Sequence, residues 1–418
     1  MIYVLSKEGK PLMPCCAVVG RLLLKQGKAK VKSTAPFTIQ LANKTTNCTQ
    51  PLTLGIDTGS AIIGSAVVNN KNEVFYISET TIRNDIAEKM TRRAKYRRNR
   101  RNRKTRYRKP RWLNRRNSIK TGRFSPTMRS KIDSHIKEIR KVYSILPITH
   151  LIIETGNFDP HAIKNPEVLT NPLLYQQGIN YGYANTKAYV LDRDDHKCQN
   201  KKCTSKNKRI EVHHIVFRSN NGSDEPENLI ALCKDCHDGL HDGTIVLKLT
   251  GKKKGDLKHA TQMNSIRTQL MKLFPHAEET FGFKTKEHRQ HMGLCKGHYI
   301  DAVVIATDSI DKPIFKTNTL LIKKSVSDGD FQLYKGIRSE QAIPVRKIAG
   351  FRKFDRIKYK GRTYFIKGRM STGYAVLMDI DGTKSQLSPT PKFTLMKRVG
   401  ARKTWMTYTK KITTNNAA

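Results

Sequence analysis

Acidic residues are scarce in this chain beside its basic ones. Against 79 Lys and Arg stand only 34 Asp and Glu, leaving +45 at pH 7 over 418 residues. A surplus of that size repels itself and attracts polyanions, which argues against a neutral small-molecule enzyme. Nucleic acid becomes the default partner, ahead of an anionic membrane surface. Long apolar runs are missing too: nothing approaches the ~18 residues needed to span a bilayer, and residues 1–14 lack a secretory apolar core. The expectation is a soluble, cytoplasmic protein with no membrane partner. Cysteine is sparse, and of eight only Cys198, Cys203, Cys233 and Cys236 fall in metal-ligand spacing. Cys15, Cys16, Cys48 and Cys295 follow no framework, so reduced thiols are expected rather than a disulfide scaffold. Internal repeats, long low-complexity linkers, helix-turn-helix patterns and tandem fingers are also missing.

What is present divides the chain into several segments, and at ~100–200 residues per domain the length allows two to four domains. Residues 1–45 read as a small basic α+β module with strands at 2–5 and 37–41 and a helix over 17–26. Three apolar or alternating runs, 52–56, 62–68 and 74–78, predict an antiparallel meander. Composition then changes abruptly: residues 91–116 hold 15 Lys or Arg in 26 positions and no acid. Such a block is either a disordered basic tail or an arginine helix ordered by an anionic partner. Its place between structured segments, with Tyr96, Tyr107 and Trp112 interleaved, favours a helix that orders on RNA. Met128, Ile132, Ile136, Ile139, Val142, Tyr143 and Leu146 recur at helical spacing, and a buried strand follows over 148–154. Helices are expected around 173–192, 263–273 and 299–307, with a strand near 280–284. Beyond residue 320, short runs at 354–359, 362–369, 375–380 and 393–398, separated by Gly361, Gly373 and Gly382, predict a small β-barrel-like domain.

The pairs Cys198-x4-Cys203 and Cys233-x2-Cys236 supply four thiolates, the donor set of a closed tetrahedral Zn2+ site. Between and beside them lies a second set: Glu211-Val212-His213-His214-Ile215, then Glu227-Asn228-Leu229, then His237 directly after Cys236. Thirteen residues separate His214 from Asn228 and eight separate Asn228 from His237, which fits strand, loop, strand and a helix pinned by zinc. A zinc module that merely binds DNA explains neither the histidine doublet nor Asn228. The set resembles the HNH, or ββα-metal, nucleases over about 60 residues. Phosphodiester hydrolysis needs a base for water and a cation for the charge developing on phosphate. By that resemblance His214 is the general base, His213 and His237 are candidate ligands of one Mg2+, and Asn228 either ligates it or holds the loop.

A third constellation is acidic. Gly55-Ile56-Asp57-Thr58-Gly59-Ser60 places Asp57 at a strand end before a tight turn, Glu154 ends a second buried strand, and Asp301 opens an apolar helix. His298 lies three residues before Asp301, on the same helix face. Carboxylates from several elements are what two divalent ions ~3.5–4 Å apart require. In this order and on these elements the set resembles the split RuvC nuclease of the RNase H fold, with the HNH segment inserted between its second and third pieces. An arginine-rich segment after the first piece completes the layout of the large CRISPR-type effectors, and the short relatives with that layout are the IscB proteins of transposon-associated systems. The stretches at 9–15, 22–31 and 36–41 look like that family's PLMP module, although residues 16–20, Cys-Ala-Val-Val-Gly, depart from its pattern.

The resemblance implies an α/β multidomain protein: an N-terminal module over 1–50, RuvC pieces at 51–87, 117–185 and 246–318, an arginine-rich bridge helix at 88–116, a zinc-bearing HNH domain at 186–245, and a C-terminal β domain at 319–418 that meets the motif beside the target. It further implies RNA-guided cleavage of double-stranded DNA, with HNH cutting the guide-paired strand and RuvC the displaced one. Asp57, Glu154, Asp301 and His298 would serve the RuvC reaction with two Mg2+. Arg92, Arg93, Arg97, Arg98, Arg100, Arg101, Arg103, Arg106, Arg108 and Arg111 would grip guide RNA and DNA backbone. The particle would be a protein monomer on an ωRNA-like guide in the prokaryotic cytoplasm, at the nucleoid when on DNA. Three rivals remain: an unguided mobile-element nuclease, an RNA-binding scaffold with inert sites, and an actin-like ATPase suggested by residues 55–60 alone.

Overall fold

The structure, a computed structural model, describes residues 1–102, 124–206, 209–220, 222–247, 249–251, 257–307, 311–327 and 347–412. It divides into two compact units, Asn157–Asn264 and the remainder. At the N-terminus, β1 (Ile2–Leu5), β2 (Pro11–Cys15), β3 (Ala29–Thr34) and β4 (Phe37–Leu41) form a sheet in the order β2-β1-β4-β3, with helix α1 (Ala17–Lys25). Ile2, Val4, Leu12, Ala29 and Ile39 close its core. The predicted meander follows as β5 (Leu52–Asp57), β6 (Ile62–Asn69) and β7 (Glu73–Thr81), antiparallel throughout. The β6–β7 turn is set by Asn69, whose Oδ1 accepts from the backbone N–H of Lys71 and Glu73.

Helix α2 (Ile86–Asn102) carries the start of the arginine segment. Arg92, Arg93, Arg97 and Arg98 are exposed on it while Tyr96 is buried. Arg103, Arg106, Arg108 and Arg111 lie outside the described residues, as do the side chains of Arg100 and Arg101. Helix α3 (Pro126–Tyr143) opens on a Ser125 cap, whose Oγ accepts from Met128 N at 3.3 Å, with Pro126 in the first turn. It leads into β8 (His150–Thr155).

The unit Asn157–Asn264 contains α4 (Pro160–Lys164), α5 (Thr186–Arg193), the antiparallel pair β9 (Ile210–His214) and β10 (Leu229–Cys233), and α6 (Lys234–His241). A single helix over 173–192 does not form. Pro172 opens a short 3-10 turn that ends at Tyr175, and α5 starts only where Asn185 caps it by accepting from Ala188 N at 2.9 Å. Gly178 and Gly182 lie between, and Gly182 takes a positive φ of 85°.

After α7 (Lys258–Leu273) come β11 (Glu278–Phe281), α8 (Gly282–His291), α9 (His298–Ala306), β12 (Ile314–Phe315) and β13 (Thr319–Ser325). The strand expected near 280–284 is therefore shorter and earlier, because the chain turns helical at Gly282. Strands β14 (Arg356–Tyr359), β15 (Arg362–Arg369), β16 (Ala375–Met378) and β17 (Lys397–Gly400) form an antiparallel sheet, and β18 (Trp405–Lys411) ends the description. The four-stranded sheet is open rather than barrel-like among the described residues. Strands β13 and β18 do not belong to it. They extend the large sheet, ordered β11-β8-β5-β6-β7-β13-β18 with β12 beside β7, so a C-terminal β domain spanning all of 319–418 is not what forms. No helix among the described residues is long and apolar enough to cross a membrane.

The large sheet has a helix on each face, and each face is held differently. On one, α9 packs so closely that a Cβ on Gly55 would meet Ala302 O at 2.3 Å and one on Gly64 would meet His298 O at 1.9 Å. Only glycine admits that approach. On the other face, α3 lays Glu138, fully buried, against β6 and β7. Its carboxylate accepts from Ser65 (2.7 Å), Ser78 (2.9 Å), Thr80 (3.0 Å) and Tyr76 (3.3 Å), and pairs with the buried Lys323 of β13 at 2.5 Å. Burial works to raise the Glu138 carboxyl, and the Lys323 ammonium with the hydroxyl donors outweighs it, holding it below its ordinary value. Removing one partner of such a pair strands the other charge in the core. Lys323→Met is therefore expected to destabilise the protein by about 3–5 kcal/mol in denaturant unfolding; a loss below about 1 kcal/mol would show the pair to be dispensable.

Candidate functional site

Register builds the first site. Strands β5 and β8 are parallel neighbours, and Asp57 is paired with Glu154 at their C-terminal ends. Helix α9, seated on Gly55 and Gly64, brings His298 and Asp301 to the same end. His298 Nδ1 lies 2.7 Å from Asp57 Oδ2, and that bond raises the imidazole pKa. Burial, reinforced by the like charges of Asp57 and Asp301, pushes the Glu154 carboxyl up to about 7, with Thr285 of α8 opposing. Burial and Asp57 likewise raise Asp301, with Arg289 of α8 opposing. Arg289 Nε sits 2.8 Å from Asp301 Oδ1 but off the hydrogen-bond direction, so the contact is ionic.

The buried Glu154 Oε2 and Asp301 Oδ1 have no hydrogen-bond donor, and three carboxylates gathered with two such oxygens fit divalent cations. From α3, the buried His135 and Lys131 stand behind the Asp57 loop, Lys131 Nζ donating to Ser60 O.

The second site lies in the other unit. His213 and His214 end β9 on alternate faces, and α6 begins one residue after β10. His237 and His241 are i, i+4 on α6 and share a face. The ring nitrogens of His213, His237 and His241 lie within 4.8 Å of one another. Burial, followed by the neighbouring His237, His241 and His214, lowers His213 to about 4, so its imidazole is neutral at physiological pH, the form that can ligate a metal. Phe217 stands edge-on to His213 at 5.3 Å. His214 lines the same pocket of about 420 Å³, its Nε2 2.9 Å from Asp224 Oδ1, which also meets Arg218 Nε at 2.8 Å.

Asn228 departs from the expectation that it could ligate metal or act chemically. It is fully buried, its Oδ1 accepting from Val216 N at 2.9 Å and its Nδ2 donating to Val216 O and Ser223 O at 3.0 and 2.8 Å. Every polar atom of its amide is occupied in holding the loop. The third nitrogen near His213 and His237 comes from His241, which sequence spacing could have offered as the i+4 partner of His237. Asp224 and Arg289 carried no comparable signal. An all-imidazole set suits Zn2+, Fe2+ or Ni2+ better than the Mg2+ expected there, which favours oxygen donors.

Next to this pocket, the sulfurs of Cys198, Cys203, Cys233 and Cys236 lie within 4.8 Å of one another, Cys203 and Cys233 3.6 Å apart. Tetrahedral Zn–S bonds of ~2.3 Å place sulfurs ~3.8 Å apart, so the cluster fits structural zinc. Asn200 Nδ2 donates to Cys236 Sγ at 3.3 Å, a second tie on the loop. Since His237 follows Cys236 directly, an ion on the cysteines would also fix the start of the histidine helix.

Two families match this chain. Residues 2–178 match the RRXRR protein family, a span that includes Asp57, Glu154 and the arginine segment. Residues 198–243 match HNH endonuclease and include all four cysteines, His213, His214, Asn228, His237 and His241. No curated protein matches the chain. The chain thus carries an RRXRR domain and an HNH endonuclease domain, the latter the mark of a metal-dependent nuclease.

The raised Glu154 gives the first site a pH signature. A carboxyl whose folded pKa lies above its unfolded value keeps its proton longer in the folded chain, so stability falls as pH rises from about 4.3 to about 7 and stays reduced above. In buffer without added divalent ions, Glu154→Gln is expected to exceed the parent by about 1–2 kcal/mol at pH 8, a figure discounted for partial solvation, and to match it at pH 4. Equal unfolding free energies at both pH values would contradict the buried-carboxylate account.

Proposed function

We propose that the protein is an RNA-guided DNA endonuclease of the IscB type, in which the histidine site cuts the guide-paired strand and the carboxylate site, read as RuvC-like, cuts the displaced one. The observation that carries this reading is a carboxylate cluster in one compact unit and a histidine cluster in the other, within one chain of net charge +45. The order of parts supports it: an N-terminal α+β module, a sheet bearing Asp57, an arginine helix, β8 bearing Glu154, the HNH unit, and α9 bearing His298 and Asp301. Guidance by RNA is supported by the arginine density of 91–116 and by the lack of a helix-turn-helix or tandem-finger pattern in the sequence. Guide RNA and double-stranded DNA are then the partners, met through backbone contacts by Arg92, Arg93, Arg97 and Arg98 among others.

In the histidine site His213, His237 and His241 would hold a divalent cation, which when bound would supply Lewis acidity for phosphodiester hydrolysis. His214 accepts the proton of the attacking water at Nδ1, because Nε2 is committed to Asp224. Asp224 holds the ring in place and stabilises the imidazolium that forms, and Arg218 keeps Asp224 oriented. Asn228 fixes the loop between the two strands so that His214 and Asp224 keep their spacing. In the carboxylate site Asp57, Glu154 and Asp301 are the residues that would hold divalent cations, whose chemistry there would be charge stabilisation in hydrolysis. His298, bonded to Asp57, is the group placed to move a proton there, and Arg289 offsets the repulsion on Asp301.

On a guide-matched duplex labelled separately on each strand, His214→Ala is expected to lower cleavage of the guide-paired strand by ~10²–10⁴-fold and to leave the other cut intact. Asp57→Ala is expected to do the reverse. Loss of both cuts from either single change would overturn the assignment of one strand to each site.

A further inference from the structure

Trp405 opens β18 at the edge of the large sheet, across from Ser325. Its indole N–H donates to Ser325 Oγ at 3.1 Å, which fixes the ring's orientation while leaving it partly exposed. Two cavities, of about 510 and 560 Å³, meet at this ring and share Arg129, Asp133, Lys137 and Trp405 as walls. Arg83, Lys89 and Arg93 add to the first, Arg140 and Lys141 to the second. Asp133 is the acid common to both walls, and Arg129 already engages it at 3.1 Å. Lys137 Nζ stands 4.3 Å above the indole centroid. Positions 129, 133, 137, 140 and 141 share one side of α3, whose other side buries Ile132, Glu138, Ile139 and Val142. Burial, with Lys403 and Lys323 nearby, lowers the Lys141 pKa, and Glu138 opposes the shift only in part.

Cavities of this size take a nucleotide-sized ligand and exclude a duplex. A fixed indole beside crowded ammonium and guanidinium groups offers both things an unpaired nucleotide needs, a face to stack on and charges for its flanking phosphates. We propose that the Trp405 pocket binds an unpaired nucleotide of a nucleic-acid strand, its base on the indole and its phosphates on Lys137, Arg140 and Lys141. Stacking displaces the Lys137 ammonium from above the ring to the adjacent phosphate, so the cation now covering the indole becomes part of the phosphate site. No residue of the carboxylate or histidine sites takes part, and the pocket stands independently of the strand assignments above.

With Trp112→Phe, Trp405 is the sole tryptophan of the full chain, and its fluorescence reports the pocket directly. The RNA-free chain is titrated with a 12-nucleotide single-stranded RNA, the same sequence as DNA, a blunt duplex and heparin. Saturable quenching by a single strand, with heparin and duplex binding unaccompanied by quenching, is expected. Quenching by RNA alone identifies a guide segment, by DNA alone a displaced strand, and by both a pocket indifferent to sugar; each supports the proposal. Strands that bind without quenching, or heparin or duplex quenching as strongly, would overturn it. In the same background Lys141→Gln, which leaves the strand and the indole in place, is expected to weaken the quenching titration about threefold. Binding to Trp405→Leu is expected to fall about tenfold and to Trp405→Phe about twofold, in proportion to the lost stacking face; unchanged affinity in Lys141→Gln and Trp405→Leu alike would also overturn it.

Discussion

Carboxylates forced together in a pocket of low polarity repel one another, and much of the large sheet's construction reads as a means of sustaining that repulsion. Parallel register aligns Asp57 with Glu154, and two glycines, Gly55 and Gly64, let α9 settle onto the sheet by backbone contact so that Asp301 and His298 arrive beside them. Larger side chains at either glycine would lift the helix and separate the charges. What results is strained electrostatically: Glu154 is pushed to about 7 and Asp301 is raised, with one orphaned buried oxygen on each. His298 on Asp57 and Arg289 beside Asp301 offset part of that cost. The remainder is what divalent cations would relieve, so the repulsion that weakens the metal-free protein becomes affinity for metal.

On the opposite face of the same sheet the charge problem is solved internally. Glu138 is as buried as any acid in the chain, yet it is matched by Lys323 and four hydroxyls, and its carboxyl lies below the usual range. The contrast between the two faces distinguishes structure from site: a satisfied buried acid holds the fold, and an unsatisfied set waits for a ligand. The HNH unit follows a third design. Nitrogen donors replace oxygen donors, three imidazoles converge, and the neighbouring cysteine cluster fixes the helix that carries two of them. Two donor sets of such different character would respond to different cations.

Much of this was legible from sequence where a short-range pattern determines the outcome. Strands β5 to β7 alternate with turn residues between them, α3 has its apolar stripe and a Ser-Pro start, and the cysteine spacing names its own ligand set. Legibility failed where tertiary context decides. Residues 173–192 have apolar spacing enough for a helix, but Pro172 and two glycines divide them and Asn185 restarts the helix late. The chain near 280 turns helical at Gly282, immediately after the strand pairs with β8. β13 and β18 look like further pieces of a C-terminal β domain, and only their pairing with β7 and each other assigns them to the large sheet. Among site residues, Asn228 lies where its spacing suggests but is consumed by the loop backbone, whereas Asp224 and Arg289 become visible only once the fold brings them to His214 and Asp301.

The central claim is that a specific RNA directs both sites to one DNA sequence. Its most direct test is to sequence the RNA that stays with the protein through a high-salt wash, after expression with its native flanking DNA. The account predicts one discrete species with a variable end and a constant, folded remainder. A smear of unrelated cellular RNA would contradict it, leaving a +45 nuclease that holds polyanions without distinction.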